Sequence, residues 1–290
     1  MHLLGFAPFP RVPPSLRWSS WIAFGLLQSY LVVVAVLYLF QRSLIYPTYG
    51  VPDETTRPFG VNRVEIATSD GERLLGYWVR PLPGRPLLLS FHGNASSPSF
   101  HARRFSSAPW SSQGWGFLAI AYRGYPGSTG SPSESGLAKD AEAALRFVRD
   151  RIGDAPVVVH GHSLGAAVGI GLAARHPVSA LFLEAPFLSL PEAAAARFPW
   201  LPTFLLRDRF PSHERAPGLA LPVHIVHGEE DPVVPYPQGQ ALAALFPHAA
   251  FHGLSSADHA SVFGAADRTV EEALRGALAS ALPEAIARPR

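Results

Sequence analysis

The sequence predicts an α/β chain with a mostly parallel central sheet, flanking helices and one long apolar helix ahead of them. Three observations carry this. From residue 87 onward, short apolar runs alternate with helical stretches, the pattern of strands buried on both faces. The pentapeptide Gly161-His162-Ser163-Leu164-Gly165 joins the apolar run Val157-Val158-Val159 to small, helix-compatible residues, which reads as strand, sharp turn and helix with a serine at the turn. The stretch Trp18–Phe40 holds no charged residue.

The elements follow in order. Residues 1–17 form an N-terminal tail, and Trp18–Phe40 is expected to be a transmembrane helix. Its length corresponds to roughly 35 Å of helix, enough to cross a bilayer with some tilt. Trp18 and Trp21 at one end, and Tyr38, Tyr46 and Tyr49 near the other, suit the two interfaces. A cleaved signal peptide is disfavoured, because Tyr38-Leu39-Phe40-Gln41-Arg42 lacks small residues at a cleavage position. Arg11 and Arg17 lie before the helix and Arg42 after it, which leans slightly toward an inside N-terminus and a domain on the non-cytoplasmic side. Residues 41–60, with their Pro, Thr and Gly, read as a juxtamembrane linker, and residues 61–290 as the main domain.

Within that domain, Val61–Ala67 and Leu74–Val79 alternate about the turn Ser69-Asp70-Gly71 and predict a hairpin. Strands are expected at Leu87–Phe91, Gly116–Ala121, Val157–His160, Ala180–Glu184, Val223–His227 and Ala250–His252. Helices are expected near 98–108, at 134–150, after Ser163, near 237–246 and at 260–281. Residues 186–220 interrupt the rhythm with Pro, aromatic residues and Arg; they are long for a simple connection and predict a small helical cap over the sheet's carboxyl edge.

Composition narrows the classes of function. The net charge is +2: residues 1–42 carry +3, from Arg11, Arg17 and Arg42 with no acid, and the remainder carries −1. No dense basic patch or nucleic-acid-binding motif accompanies it, so a nucleic-acid partner is not expected. The absence of cysteine removes disulfides, thiolate nucleophiles and Cys-based zinc sites. No cofactor motif stands out. His160 and His162 flank the serine turn without a convincing further ligand set, so no metal is expected.

The serine turn is where chemistry is expected. A tight strand-to-helix turn strains the serine backbone and lifts its Oγ above the sheet, with the first amides of the helix pointing at it. In an open α/β sheet, sites form beyond the carboxyl ends of the strands. Past the strand ending at His227 come Glu229, Glu230, Asp231 and Pro232; past Phe251 come Ala257, Asp258 and His259. The chain order Ser163, Asp231, His259 allows a nucleophile, a general base and an orienting acid. Glu229 and Glu230 compete for the acid and His248 and His252 for the base; Pro232 at an abrupt loop start favours Asp231, and a place beyond the last strand favours His259. The amides of Leu164 and Asn94, with Ala95 as substitute for Asn94, are the expected oxyanion donors. His92 is expected to brace that loop. Trp200 and Phe204 in the cap are expected to meet substrate.

Several segments resemble one family. Phe40-Gln41-Arg42-Ser43-Leu44-Ile45-Tyr46-Pro47 is similar to a juxtamembrane signature, and Phe91-His92-Gly93-Asn94-Ala95 to an oxyanion loop. Tyr122-Arg123-Gly124-Tyr125-Pro126-Gly127-Ser128 and His227-Gly228 through Asp231-Pro232 resemble further segments, and the match covers the chain after residue 40. The family is that of membrane-anchored α/β-hydrolases of the serine aminopeptidase-like and depalmitoylase type. One departure is visible: Ala257-Asp258 stand where the family usually carries a glycine before its histidine. The resemblance implies an α/β-hydrolase fold and a serine hydrolase acting on esters, thioesters or amides. The leading expectation is a membrane-tethered hydrolase of lipophilic acyl esters or thioesters. A serine peptidase or amidase and a catalytically silent binding scaffold are the alternatives.

Overall fold

The computed structural model describes residues 14–51, 58 and 60–281. Most of the expected tail 1–17 and part of the expected linker, residues 52–57 and 59, lie outside the described residues. The chain divides into two compact units, Met1–Gln41 and Arg42–Arg290.

The first helix, α1, runs Pro14–Ile45. It continues past Phe40 into the stretch expected to be linker, because Gln41, Arg42 and Leu44 all favour helix and no breaker occurs until Pro47. Its segment Ser19–Ile45 is long and apolar enough to cross a membrane. Trp21, Leu26 and Leu39 on it are exposed.

The second unit is built on one eight-stranded sheet. In chain order its elements are β1 (Asn62–Ala67), β2 (Arg73–Val79), β3 (Leu87–Phe91), α2 (Pro98–Phe105), β4 (Gly116–Ile120), α3 (Glu134–Ile152), β5 (Val157–His162), α4 (Leu164–Ala173), β6 (Ala180–Glu184), α5 (Leu190–Arg197), α6 (Ser212–Arg215), β7 (Val223–Gly228), α7 (Tyr236–Leu245), β8 (Ala249–Leu254) and α8 (Asp267–Ala281). The spatial order is β1-β2-β4-β3-β5-β6-β7-β8. The pairs β1·β2 and β2·β4 are antiparallel, and every later pair is parallel.

The two faces are read off the strand alternation. Leu87, Leu89, Val157 and Val159 join one core with Leu137 and Leu145 of α3 and Ile170 of α4. Leu88 and Val158 point the other way, into a second core with Phe105 of α2 and Val270, Leu274 and Leu278 of α8. Each such side chain contributes roughly 1.5–3 kcal/mol on burial. The last helix begins at Asp267 rather than near residue 260. Gly264 adopts a left-handed φ of +83° just before it, and its amide donates to the Glu184 carboxylate at 2.9 Å, so the preceding residues are held as turns. The segment 186–220 contains α5, the single turn α6 and short 3-10 turns, so it is helical in part only.

The chain reverses direction across the sheet at β3, which lies between β4 and β5. Phe91 at the end of β3 pairs with Gly161 of β5. Two loops therefore leave adjacent strand ends side by side, the crevice where open α/β sheets place their sites.

Candidate active site

Ser163 joins β5 to α4 with φ 53° and ψ −116°. This backbone state costs a non-glycine residue about 1–3 kcal/mol. It is held from both sides: the Ser163 amide donates to the Glu184 carbonyl at 2.8 Å, and the Ser163 carbonyl accepts from the Ala166 amide at 2.9 Å. The side chain makes no capping hydrogen bond, so Oγ is not spent on the helix end. Gly161 and Gly165 make the turn possible. A Cβ on Gly165 would stand 2.0 Å from the Phe91 carbonyl oxygen, and one on Gly161 would stand 2.3 Å from the Gly165 oxygen.

The loop after β3 lies against this turn. Gly93 packs beside the His162 ring and Ser163 Cβ. His92 Nδ1 donates to the Gly93 carbonyl at 2.7 Å, while the Tyr122 hydroxyl donates to the His92 carbonyl at 3.0 Å. The His92 ring lies 4.4 Å from that of Tyr122 and 4.9 Å from that of Tyr125. Burial pushes the imidazole down to about 4, so it is neutral and braces the loop. Asn94 is exposed, and Ala95 takes a positive φ of 50°. Leu164 opens α4, where its amide has no partner within the helix.

Asp231 and His259 meet from the loops after β7 and β8. His259 Nδ1 donates to Asp231 Oδ2 at 2.7 Å. Asp231 Oδ1 accepts the amides of Val233 and Val234, each at 2.8 Å. His227 Nε2 donates to the Val234 carbonyl at 3.0 Å and lies 3.3 Å from Asp231 Oδ2. Burial works to raise the Asp231 pKa, but the hydrogen bonds from His227 and His259 outweigh it and hold the carboxylate well below its ordinary range. The competing carboxylates Glu229 and Glu230 are exposed. His248 is exposed too, and His252 stacks on His224 with Nε2 3.3 Å from His224 Nδ1.

His259 is drawn to the serine turn through its backbone. His162 Nε2 donates to the His259 carbonyl at 2.9 Å, and the two rings lie 5.1 Å apart. With Nδ1 committed to Asp231, the free nitrogen of His259 is Nε2. Among the described residues no hydrogen bond joins Ser163 Oγ to His259. Such contacts are often long in unliganded enzymes and tighten with substrate. Asp258, in the place of the expected glycine, accepts the amides of Ala260 at 3.0 Å and Ser261 at 2.7 Å and so shapes the histidine loop.

Trp200 and Phe204 lie in the segment between β6 and β7 and are 51% and 76% exposed. Trp200 rests edge-on against Phe198, with ring centroids 6.3 Å apart.

The sequence signature of the α/β hydrolase fold matches residues 86–218. An uncharacterised protein of Mycobacterium tuberculosis is 38% identical over 219 residues, covering 73% of this chain and 77% of its own. The chain belongs to the α/β-hydrolase family. It is a hydrolase of the serine type. The protein bem46 of Schizosaccharomyces pombe is 32% identical across 79% of this hydrolase and 83% of that protein. The lysophosphatidylserine lipase ABHD12 of Rattus norvegicus is 34% identical, but over 54% of this chain and 44% of that one. An esterase structure from Pyrococcus furiosus shares the fold with a TM-score of 0.63 at 19% identity, covering 81% of this chain and 98% of that one.

Beneath the serine turn the hydrolase carries a buried polar cluster that sequence reasoning missed. Arg104 of α2 donates to both Glu184 oxygens, at 2.7 and 2.9 Å, and through Nε to Asp267 of α8 at 3.0 Å. His160 Nε2 donates to Glu184 Oε2 at 2.9 Å. Ser90 Oγ bridges His160 Nδ1 at 3.0 Å and His101 Nδ1 at 2.6 Å. Burial works to raise the Glu184 pKa, but Arg104 and His160 reverse the direction and keep it ionised. The one available signal was an acid ending the otherwise apolar strand Ala180-Leu181-Phe182-Leu183-Glu184. Its partners are dispersed along the chain, so no local pattern marks them.

Proposed function

We propose that this hydrolase cleaves lipophilic carboxylic esters or thioesters through an acyl-enzyme on Ser163. The observation that carries the reading is the strained turn at Ser163 beside a His259–Asp231 pair closed at 2.7 Å. His259 Nε2 takes the Ser163 proton as Oγ attacks the substrate carbonyl carbon. The amides of Leu164 and Asn94 receive the resulting oxyanion at the positive end of α4. His259 then protonates the departing alkoxide or thiolate. Water attacks the acyl-enzyme by the same route, giving up its proton to His259, which returns it to Ser163. Asp231 holds the imidazole with Nδ1 protonated and stabilises the imidazolium.

Trp200 and Phe204 present apolar surface to an acyl chain in this reading. The apolar segment Ser19–Ile45 anchors the enzyme as a single-pass membrane protein, with the domain on the non-cytoplasmic side. The relative named as a lysophosphatidylserine lipase supports a lipid ester as substrate. The test is activity-based labelling of the full chain with a fluorophosphonate, followed by turnover of acyl esters and thioesters of graded chain length against aminoacyl amides. A folded protein that is not labelled, or one that prefers the amides, overturns the proposal.

A further inference from the structure

Asp231 is flanked by a second imidazole, one that the proposed chemistry does not use. His227 lies near the end of β7 and is fully buried. Gly228 follows it, and a Cβ there would collide with the Ala257 carbonyl oxygen, so the His259 loop reaches β7 only across a glycine. Gly239 of α7 closes the other side: a Cβ on it would collide with His227 Nδ1. The helix therefore lies directly on the imidazole, and the Tyr236 ring meets it edge-on with centroids 5.8 Å apart.

This seat selects one tautomer. His227 Nε2 donates to the Val234 carbonyl at 3.0 Å, and a carbonyl only accepts, so the proton is on Nε2. Nδ1 has no hydrogen-bond partner among the described residues. A buried nitrogen left bare costs stability that an apolar ring in the same seat would not. What the imidazole adds over such a ring is its Nε2–H. That nitrogen lies 3.3 Å from Asp231 Oδ2, the oxygen that accepts His259 Nδ1 at 2.7 Å. The other oxygen, Oδ1, accepts the amides of Val233 and Val234. Val234 thus closes a small circuit: its amide holds one carboxylate oxygen, and its carbonyl takes the N–H that faces the other. The carboxylate cannot turn about its Cβ–Cγ bond without giving up a donor.

We propose that His227 is a positioning residue for hydrolysis: its Nε2–H, shared between Val234 and Asp231, fixes the carboxylate in the orientation that receives His259. It acts through Asp231 and meets no substrate. The proposal rests on the reading of Asp231 and His259 as the acid and base.

The experiment uses the full chain in a non-ionic detergent with a short soluble ester. Turnover is expressed per serine titrated by a fluorophosphonate, so unfolded chains do not count. His227→Met keeps the length of the side chain without a donor, and His227→Gln carries an amide N–H to about the reach of Nε2. His227→Met should lower kcat roughly ten- to hundredfold, the loss expected for one hydrogen bond to a charged group, with KM changed less than about twofold. His227→Gln should recover most of that loss. A purely structural role would lower the melting temperature of both variants and leave turnover per titrated serine alone. In an Asp231→Asn background, His227→Met should cost little more, because it acts only through Asp231. Should His227→Met not fold, His227→Asn, polar but too short to reach Oδ2, carries the same expectation. An unchanged kcat, equal losses in the Met and Gln variants, or an undiminished loss in the Asp231→Asn background overturns the proposal. Asp231→Asn alone separates the two readings. If it keeps full turnover, the acid assignment fails and the role of His227 with it; if it is inactive while His227→Met matches the parent, only the role of His227 fails.

Discussion

The His162 ring, one residue before Ser163, donates through Nε2 to the backbone carbonyl of His259 at 2.9 Å. The carbonyl can only accept, so this bond sets the tautomer of His162 with its proton on Nε2. Burial pushes His162 down to about 4, which keeps that tautomer neutral across the physiological range. The bond ties the histidine loop to the serine turn while leaving the His259 side chain free to face Asp231. His162→Phe should lower kcat by at least about tenfold with a smaller change in KM, the signature of lost positioning. His162→Gln, which retains a donor, should recover part of it. Steady-state kinetics on a soluble ester reads both, and an unchanged kcat in His162→Phe removes the tether from the mechanism.

If the proposed assignment holds, Ser163, Asp231 and His259 should behave as one unit. Ser163→Ala should abolish fluorophosphonate labelling with the fold intact. Asp231→Asn and His259→Ala should each lower turnover by roughly 10⁴-fold, and adding either to Ser163→Ala should cost little more. Glu230→Gln should retain activity, because Glu230 is exposed beside a buried Asp231. Loss of activity in Glu230→Gln with full activity in Asp231→Asn would reassign the acid.

Stability should fall on mild acidification. His92 and His162 are pushed down to about 4 and His101 well below its ordinary value, in each case chiefly by burial. These rings stay neutral when folded but take up protons when unfolded below about pH 6.5. The unfolded chain therefore binds more protons, and stability drops by up to about 1.4 kcal/mol per pH unit for each ring as the pH falls through that range. Melting temperatures measured from pH 7.5 to 5 should show the decline, and His101→Phe should flatten its slope. A melting temperature independent of pH over this interval contradicts the burial argument.

The cluster below the serine turn should be costly to break on one side. Arg104→Met leaves Glu184 buried without its main counter-charge and should destabilise by about 3–5 kcal/mol. Changing Arg104→Met together with Glu184→Gln and Asp267→Asn should recover much of the loss, because the stranded charge is gone. Denaturant titrations of the variants read this directly; a single variant no less stable than the triple one would contradict it.

The length of an N-terminal truncation should matter. A chain beginning at Arg42 keeps the bonds of Arg42 and Tyr46 to Asp208, whereas one beginning at Val51 leaves that buried carboxylate without its counter-charge and with the Glu134 amide as its remaining donor among the described residues. The shorter chain should lose about 2 kcal/mol relative to the longer, less than for a fully buried pair because Arg42 is half exposed. Equal melting temperatures for the two would show that Asp208 finds other partners. Both should stay in solution if Ser19–Phe40 supplies the bilayer-spanning surface.

The cap aromatics offer a kinetic test of substrate contact. Trp200→Ala or Phe204→Ala should change the preference for acyl-chain length more than turnover of a very short ester, since apolar pockets discriminate by about 1–3 kcal/mol per methylene. Superimposable chain-length profiles would place the acyl site elsewhere.

What the sequence by itself determined is whatever depends on neighbours in the chain. Alternating apolar runs and helical stretches specify a parallel sheet through periodicity alone. Glycines at 161 and 165 mark a strand-to-helix turn, because a Cβ at either would collide with backbone. The uncharged run 18–40 announces a long apolar helix. What only the tertiary structure decided lies where distant segments converge. Glu229, Glu230 and Asp231 are near-equivalent in sequence; Asp231 is the one turned inward, where the His259 loop reaches it 28 residues later. His252, a candidate base in sequence, stacks on His224 in the sheet, a neighbour 28 residues earlier that no local pattern marks. Arg104 and Glu184, 80 residues apart, carry opposite charges that neither local environment would tolerate alone, and Arg42 finds Asp208 across 166 residues. Periodicity and steric fit are local properties, legible in a line of residues. The pairing of buried charges is a property of the assembled core, where low polarity makes each group depend on a partner that the chain brings from far away.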